Sequence, residues 1–302
     1  MARMHGRQQL AKTVEESGIA VVPGVYDGIS ARLVEQQGFA SGFLSGAGVS
    51  NSRLAQPDVG FLTLPDVADQ SREIADAVDI PIWVDADTGY GNAVSVHRTV
   101  RRLADAGAAA VMIEDQEWPK RCGHMAGKSV IPFDEAVAKI EAATDARDEH
   151  APDVLLKART DATEPLGLEE AIERLNAFAD AGADVVFADA LRSEEDIRRV
   201  AAEVDAPLSV NMGFGVRSRP TTPLIPAARL EEIGVDVVIY PRLITAAATA
   251  GMKRALAELE TAVETPEEYE APDAVVDWDY YTDLIGKPAV DDLEARFATD
   301  ED

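Results

Sequence analysis

The segment Lys120-Arg121-Cys122-Gly123-His124 contains the only cysteine of the chain, flanked by two cationic residues and an imidazole. Positive neighbours stabilise a thiolate, which is the condition for a reactive thiol or for a cysteine that works as an acid or a base. The alternative is an inert, buried apolar residue, which is common for an isolated cysteine. Glycine and basic neighbours favour an exposed loop, so we predict that Cys122 is catalytic.

Three carboxylates close two consecutive apolar runs of the sequence. Asp85 and Asp87 belong to the run 80–89, and Glu114 belongs to the run 108–116. Residues two apart on a strand point to the same face, and Glu114 lies at the same level of the next strand. Such carboxylates repel one another unless a cation lies among them, and oxygen ligands without a histidine cluster favour Mg²⁺ or Mn²⁺ over zinc. The alternative is that acidic residues simply end strands in a very acidic chain.

Polar residues also close the other apolar runs. Arg159 follows one run, where its planar fork could hold a substrate carboxylate, although a structural ion pair is the alternative. Small residues and backbone N–H groups at the end of another run suit a carboxylate at close range. The predicted substrate-binding residues at strand ends are Ser45, Gly46, Ala47, Arg159 and Asn211.

Eight short apolar runs alternate with amphipathic helical stretches. The runs are 19–24, 41–46, 80–89, 108–116, 153–162, 184–191, 207–213 and 235–241. Continuous hydrophobicity is typical of parallel strands buried on both faces, and glycine in near-repeats such as ADAGAAAVMI and ADAGADVVFA fits a left-handed helix end. Eight βα units predict a (β/α)₈ barrel, in which the carboxyl ends of the strands face the active site. An open doubly wound sheet is the competitor, but no GxGxxG follows the first strand.

We expect residues 1–262 to form this barrel and residues 263–302 to form an acidic helical extension. The extension is too polar for a core, yet it contains an apolar face that another surface must cover. The apolar residues of this face are Trp278, Tyr280, Tyr281, Leu284 and Ile285.

Charge and composition exclude several classes of function. A formal net charge of −27 disfavours nucleic acid and anionic membranes as partners, and no run approaches the roughly 18 apolar residues of a membrane span. The first residues lack the apolar centre of a signal peptide, so we expect a cytoplasmic protein. The acidity indicates a salt-loaded cytoplasm, with an ordinary acidic enzyme as the alternative. A single cysteine excludes an internal disulfide and a multi-cysteine zinc site.

These motifs resemble the isocitrate lyase and phosphoenolpyruvate mutase superfamily, in particular its methylisocitrate lyase and 2,3-dimethylmalate lyase branch. The matching segments lie within residues 20–225 and include PGVYDGISARL, FLSGAGVS, DADTGYGN, IEDQEWPKRCGHMAGK and KARTDA. KRCGH after an EDQ strand is specific for the lyases of this superfamily. The resemblance implies a homotetramer in which a C-terminal helix is swapped between subunits.

The resemblance also implies roles for the strand-end residues. Asp85 would bind Mg²⁺ directly, whereas Asp87 and Glu114 would hold the ion through water. The residues implied to bind substrate at the keto-acid carboxylate or near it are Ser45, Gly46, Ala47, Arg159, Tyr26 and Asp58.

The cysteine loop is implied to supply the proton for the departing fragment. Cys122 would protonate a succinate-like carbanion, while Arg121 and His124 would tune the thiol and bind the carboxylate of the second product. Lys120 and Gly123 belong to the same catalytic segment.

The implied reaction is retro-aldol cleavage of a small 2-hydroxy polycarboxylate, with 2-methylisocitrate, giving pyruvate and succinate, as the leading substrate. Isocitrate and 2,3-dimethylmalate are the rival substrates. Hydrolysis or decarboxylation of oxaloacetate on the same metal site is a second reaction class, and a non-catalytic scaffold is a third. Two departures from the relatives bear on this choice. Asp189 stands where they usually carry glutamate, and the segment 212–226 lacks their glutamate and adds Arg217 and Arg219.

Overall fold

The computed structural model describes residues 18–123, 125–214, 222–267, 269–270 and 273–298. Eight parallel strands close into a barrel in chain order, with β8 pairing with β1. The strands are β1 Ala20–Val25, β2 Gly42–Leu44, β3 Ile82–Asp85, β4 Ala110–Glu114, β5 Leu155–Thr160, β6 Val185–Ala188, β7 Leu208–Asn211 and β8 Val237–Tyr240. Each strand lies within or overlaps one of the eight apolar runs, so the predicted (β/α)₈ fold is confirmed.

Helices follow the strands around the barrel. They are α1 Gly28–Gln36, α2 Gly46–Leu54, α3 Leu64–Ala77, α4 Ala93–Asp105, α5 Phe133–His150, α6 Leu168–Asp180, α7 Glu194–Glu203, α8 Ala227–Ile233, α9 Leu243–Glu264, α10 Trp278–Leu284 and α11 Lys287–Phe297. The glycines of the repeated helix-to-strand element adopt positive φ angles, 88° at Gly107 and 100° at Gly182 and Gly234. These angles confirm the predicted left-handed turn from helix to strand.

Two apolar layers hold the barrel together. The outer layer lies between strands and helices, and the inner layer fills the barrel with large side chains such as Phe43, Trp83, Met112 and Phe187. Lys157 points into the same inner layer and is fully buried. The inner layer therefore forms a solid floor beneath the carboxyl ends of the strands.

The chain separates into two compact units, residues 1–245 and residues 246–302. The predicted division at residue 262 remains a prediction. The second unit contains most of α9 together with α10 and α11, and none of these three helices has a buried residue. Trp278 is 75% exposed and Ile285 is 45% exposed, so the apolar face of the extension is uncovered within the described chain. No helix in the described ranges combines the length and apolarity of a membrane span.

Candidate active site

The end of β2 leads directly into the first turn of α2. Ser45 is the N-cap residue, and its side chain accepts a hydrogen bond from the Gly48 N–H at 3.3 Å. The positive end of this helix therefore lies at the carboxyl end of the barrel. The Gly46 N–H donates to Asp85 Oδ2 at 3.2 Å. The predicted carboxylate-binding segment and the first predicted metal ligand are thus neighbours.

The three predicted metal-binding carboxylates converge at the ends of β3 and β4. The Asp87 N–H donates to Asp85 Oδ1 at 3.1 Å, and the Glu114 N–H donates to the Asp87 carbonyl at 2.8 Å. A Cβ atom at Gly46 would lie 3.1 Å from Asp87 Oδ1 and 3.2 Å from Asp85 Oδ2. Glycine at position 46 lets the backbone approach both carboxylates.

Burial makes this cluster costly without a cation. Asp85, Asp87 and Glu114 are all buried. Desolvation raises the pKa of Asp87 to about 7; Lys120 opposes this shift, whereas Asp85 and Asp58 add to it. Desolvation also raises the pKa of Glu114, against the opposing effect of Arg159. Negative charge at this end of the barrel is therefore only partly compensated.

Carboxylate oxygens, which are the ligand type that Mg²⁺ and Mn²⁺ prefer, line this end of the barrel. Asp87 Oδ1 is buried, and Lys120 Nζ lies 2.7 Å from it as an ion pair. The carboxylates of Asp85, Asp87 and Glu114 do not bring one oxygen each within 4.8 Å of one another. Direct binding of one ion by all three carboxylates is therefore not indicated by their spacing, and the predicted metal site remains a prediction.

Lys120 serves the carboxylates rather than the thiol. Its ammonium group contacts Asp58 Oδ1 at a very short distance and lies beside Asp87, and its side chain is only 3% exposed. Burial works against the charged amine, but Asp87, Asp58 and Glu114 outweigh it, so the pKa of Lys120 lies well above its usual value. The hypothesis that Lys120 tunes Cys122 is not supported by these contacts.

The thiol of Cys122 is buried and contacts a cation that the sequence analysis did not select. Arg242 follows β8, and its Nη2 donates to Cys122 Sγ at 2.9 Å. The Cys122 N–H donates to the Asp58 carbonyl at 3.1 Å. Asp58, predicted to lie near the substrate, thus anchors the loop through its backbone and pairs with Lys120 through its side chain. The Arg121 side chain is exposed, and His124 lies outside the described residues.

Gly123 rests directly on the ends of β5 and β6. A Cβ atom at this position would lie 1.7 Å from Asp189 Oδ2 and 3.0 Å from Arg159 Nη2. Lys128 Nζ donates to the Gly123 carbonyl at 3.1 Å and to Asp161 Oδ1 at 3.0 Å. The cysteine loop is therefore fastened to the barrel by a glycine contact and a buried lysine.

Arg159 is fully engaged with carboxylates of the chain itself. It donates to both oxygens of Asp161 at 2.8 Å, to Asp189 Oδ2 at 3.0 Å, and lies 3.3 Å from Glu114 Oε2. These contacts are the structural ion pair that the sequence left open as an alternative. Contact of Arg159 with a substrate carboxylate remains a prediction.

Most of the predicted site residues line one small cavity. It has about 30 Å³ of free space, room for about one or two water molecules. Ten predicted residues line it, namely Ser45, Ala47, Asp58, Asp85, Lys120, Arg121, Cys122, Gly123, Arg159 and Asn211. Tyr26, Gly46, Asp87 and Glu114 do not line it. A larger cavity of about 650 Å³ lies at the opposite ends of the strands and contains none of the predicted site residues.

Three functional contacts escaped the sequence analysis. Arg242 and Lys128 hold the cysteine loop, and Asp161 takes up the fork of Arg159. Arg242 stands just beyond the run 235–241, so the rule that strand ends face the site would have found it. The inner-layer side chains that form the cavity floor are Phe43, Met112, Phe187 and Ile239.

Sequence relatives place the chain in a family. Residues 10–260 match the family described as phosphoenolpyruvate phosphomutase. The 2,3-dimethylmalate lyase of Eubacterium barkeri is 36% identical over 297 residues, 98% of this chain and 99% of that protein. The 2-methylisocitrate lyase of Aeropyrum pernix is 46% identical over 233 residues, 77% of this chain and 72% of that protein.

Solved structures agree with these relatives. Oxaloacetate acetylhydrolase, in complex with the inhibitor 3,3-difluorooxalacetate, has a TM-score of 0.87 and 33% identity and covers 98% of both chains. Phosphonopyruvate hydrolase, in complex with oxalate and Mg²⁺, has a TM-score of 0.81 and 27% identity and covers 96% of this chain and 99% of that one. The chain therefore belongs to the phosphoenolpyruvate mutase and isocitrate lyase superfamily, in which the two sequence relatives named above are carbon–carbon lyases.

Proposed function

We propose that the protein is a divalent-metal-dependent lyase that cleaves 2-methylisocitrate into pyruvate and succinate. The observation that carries this proposal is that one cavity joins Asp85 to a buried thiol, Cys122. A cation site on one side and a proton donor on the other are what cleavage of a 2-hydroxy acid requires. The relative from Aeropyrum pernix supports the choice of substrate.

The metal would be held by Asp85 directly and by Asp87 and Glu114 through water. Mg²⁺ or Mn²⁺ fits a set of carboxylate oxygens without histidine or thiolate. When bound, the ion supplies positive charge that stabilises the negative charge developing on the 2-oxygen of the substrate. Gln116 steadies this side, because its Nε2 donates both to Glu114 Oε1 and to the Arg121 carbonyl at 2.9 Å.

The carboxylate of the future 2-oxo acid would bind at the start of α2. The N–H groups of Gly46 and Ala47 lie at the positive helix end behind the Ser45 cap, where an anion is stabilised. Asn211 ends β7 on the far side of the cavity, and its buried Oδ1 accepts no hydrogen bond from the described chain. Asn211 is therefore placed to bind a hydroxyl group of the substrate. Tyr26 and Arg159 would lie near this carboxylate and help to bind it.

The proposed proton transfers take place on two sides of the cavity, one at the metal site and one at Cys122. A base takes the proton of the 2-hydroxyl group, and the carbon–oxygen double bond of pyruvate forms as the carbon–carbon bond breaks. The bonding electrons pass to the succinate fragment as an enediolate. The Cys122 S–H then gives its proton to the carbon of that fragment, and solvent reprotonates the thiolate before the next turnover.

Comparative turnover tests the choice of substrate. Purified protein with Mg²⁺ in molar salt is offered 2-methylisocitrate, isocitrate, 2,3-dimethylmalate and oxaloacetate in parallel, and release of the 2-oxo acid or oxalate is recorded. Pyruvate from 2-methylisocitrate should form well ahead of the other products. Faster release of glyoxylate from isocitrate, of oxalate from oxaloacetate or of a product from dimethylmalate would replace the proposed substrate. One methyl group changes selectivity by only about 1–3 kcal/mol.

We also propose that the second unit joins copies of the chain in a cytoplasmic homotetramer. Its apolar side chains, including Trp278 and Phe297 at 75% and 72% exposure, need a covering surface. Light scattering of the full chain in molar salt should give four copies, and removal of residues 273–302 should reduce that number. A monomeric full chain would contradict the proposed assembly.

A further inference from the structure

The loop between β3 and α4 has a strained backbone. Asp87 and Tyr90 have φ angles of 47° and 59°, in the left-handed region that residues other than glycine seldom adopt. Gly89 and Gly91 in the same loop also have positive φ angles, of 82° and 149°. Strain of this kind persists only where the surrounding structure holds it, and it clusters at functional sites.

This loop determines where the three carboxylates proposed to hold the metal lie. The Asp87 N–H donates to Asp85 Oδ1 at 3.1 Å. The Asp87 carbonyl accepts a hydrogen bond from the Glu114 N–H at 2.8 Å. A shift of the backbone at Asp87 would therefore move the Asp85 side chain and release the end of β4. The geometry of the cluster depends on the groups that hold residues 87–91 in place.

Two buried side chains from the outer helices hold this loop. Lys139 of α5 donates from Nζ to the Thr88 carbonyl at 3.1 Å. Thr99 of α4 donates from Oγ1 to the Gly89 carbonyl at 3.0 Å. Lys139 is only 4% exposed, and Thr99 is fully buried. The two hydrogen bonds thus end on successive carbonyl groups of the strained loop.

Burial of the Lys139 ammonium group is costly. Desolvation lowers the pKa of Lys139, against the opposing effects of nearby carboxylates, of which Glu135 is the largest. Among the described residues, its Nζ donates to the Thr88 carbonyl and forms no ion pair. A buried charge without a counter-ion lowers stability, and such costs are retained where function requires them. The contact with Thr88 is therefore the function of Lys139 that the structure offers.

We propose that Lys139 and Thr99 are positioning residues, which hold the loop 87–91 in its strained form and thereby set the affinity of the carboxylate cluster for a divalent cation. Neither side chain would touch the ion or the substrate. Both act through the backbone that carries Asp87, and removal of groups that orient metal ligands typically costs about 10- to 100-fold in metal affinity. This role deepens the metal-dependent function proposed above and rests on its metal site.

Binding of Mn²⁺ alone to the full chain in molar KCl tests the proposal, with the free ion followed by electron paramagnetic resonance. Lys139→Met and Thr99→Val each remove one hydrogen bond at nearly constant volume, and each should raise the Kd for Mn²⁺ by about tenfold or more. Lys139→Arg and Thr99→Ser retain a donor, so their Kd should stay within about threefold of the parental value. Thr99→Val is nearly isosteric and tests the loop even if Lys139→Met does not fold.

Thr144→Val is the matched control. Thr144 of α5 donates from Oγ1 to the Ala181 carbonyl at 2.8 Å, between α6 and β6 at the opposite end of the barrel. This variant loses the same kind of hydrogen bond as Thr99→Val, but away from the carboxylates. Its melting temperature should fall while its Kd for Mn²⁺ stays at the parental value.

Each outcome of the Mn²⁺ measurement has a definite meaning. Parental affinity in Lys139→Met or in Thr99→Val overturns the role of that residue. Equal weakening in Thr144→Val shows a general loss of stability and overturns both roles. A parent that binds no Mn²⁺ overturns the positioning role together with the proposed metal site. Weakened binding in the two variants, without cleavage of any offered acid by the parent, removes only the proposed reaction.

Discussion

The two halves of the barrel mouth are built differently. Around β3 to β6, buried cations are paired with carboxylates, with Lys120 on Asp58 and Arg159 on Asp161. Around β7 and β8, Asn211 Oδ1 accepts no hydrogen bond within the described chain, and the Arg242 guanidinium donates to Cys122 Sγ. A preorganised half suits the metal and the carbonyl side of the reaction. A half with spare hydrogen-bonding capacity suits polar groups that the substrate itself brings.

The cysteine loop connects these halves. Its backbone is bound to the paired half through Asp58, Gln116 and Lys128, whereas the Cys122 thiol faces Arg242 on the other half. The proposed proton donor is thus held by groups that have no part in the proposed proton transfer. The comparison predicts that substitutions in the paired half reduce turnover most strongly, and that substitutions in the cysteine loop reduce turnover less.

The largest expected effect is at the metal site. Asp85→Asn removes the carboxylate that we propose binds the ion directly, and turnover should fall by at least about 10³-fold because the charge at the 2-oxygen is no longer stabilised. Chelation of the divalent ion should have the same effect and should be reversed by added Mg²⁺. Asp69→Asn on α3 serves as control. Full turnover in the presence of chelator would contradict the metal assignment.

Cys122→Ser should come next. Because a hydroxyl group is a much weaker acid than a thiol, turnover should fall by about 10²- to 10⁴-fold. The melting temperature should stay close to that of the parent, since the change is nearly isosteric. Turnover near the parental value would remove Cys122 from the mechanism.

Gly123→Ala tests how tightly the loop is seated. The added Cβ would lie 1.7 Å from Asp189 Oδ2, so the loop must shift and carry Cys122 away from the substrate. We expect kcat to fall by about 100-fold, the cost of a displacement of about 1 Å at a reacting group. Gly28→Ala, where the added Cβ would lie at an ordinary 3.6 Å from Ala77 Cβ, is the control. Equal effects of the two changes would show that seating on Asp189 is unimportant.

The smallest expected effect is on the stability of the fold and concerns Lys157, which lies in the inner apolar layer beneath both halves of the barrel mouth. Desolvation, and then Arg159, lower the pKa of Lys157 to about 7, and its amine has no hydrogen-bond partner among the described residues. The rings of Phe187, Phe43 and Trp83 surround it at 4.7–5.6 Å. Lys157→Met should therefore stabilise the fold by about 1–3 kcal/mol at pH 7, because no buried polar group is left unpaired.

The pH dependence of this effect has a definite sign. Between the folded pKa near 7 and the unfolded value of about 10.4, the unfolded lysine binds more protons than the folded one, so the parent gains stability as pH rises. Denaturant unfolding in molar salt at pH 7 and pH 9 should show the gap between Lys157→Met and the parent narrowing. A gap that widens with pH would contradict the assignment.

The sequence predicted the architecture well because the barrel depends on local signals. Eight apolar runs and the repeated glycines at helix ends fix the strand order without reference to distant contacts. The rule that strand ends face the site then brought Asp85, Glu114 and Arg159 to one end of the barrel.

The side chains that contact Lys120 and Cys122 could not be predicted from the sequence, because these contacts depend on distances across the barrel. Lys120 is two residues from Cys122 in sequence, yet its ammonium group contacts Asp58 and Asp87. Arg242 is 120 residues from Cys122 and contacts its sulfur. The strand-end rule would have placed Arg242 at the site, but nothing local in the sequence identifies Cys122 as its partner.

Proton transfer from Cys122 is the central claim, and hydrogen exchange into product tests it most directly. Succinate is incubated with the Mg²⁺-loaded protein and pyruvate in D₂O, and deuterium at its methylene carbons is followed by NMR. The parent should incorporate deuterium at the methylene carbons, because reversal of the last step passes a proton from carbon to the thiolate, which exchanges with D₂O; since succinate is symmetric, either carbon can exchange. Cys122→Ser should incorporate none on the same timescale; exchange at the parental rate in this variant would contradict the assignment of Cys122 as the proton donor.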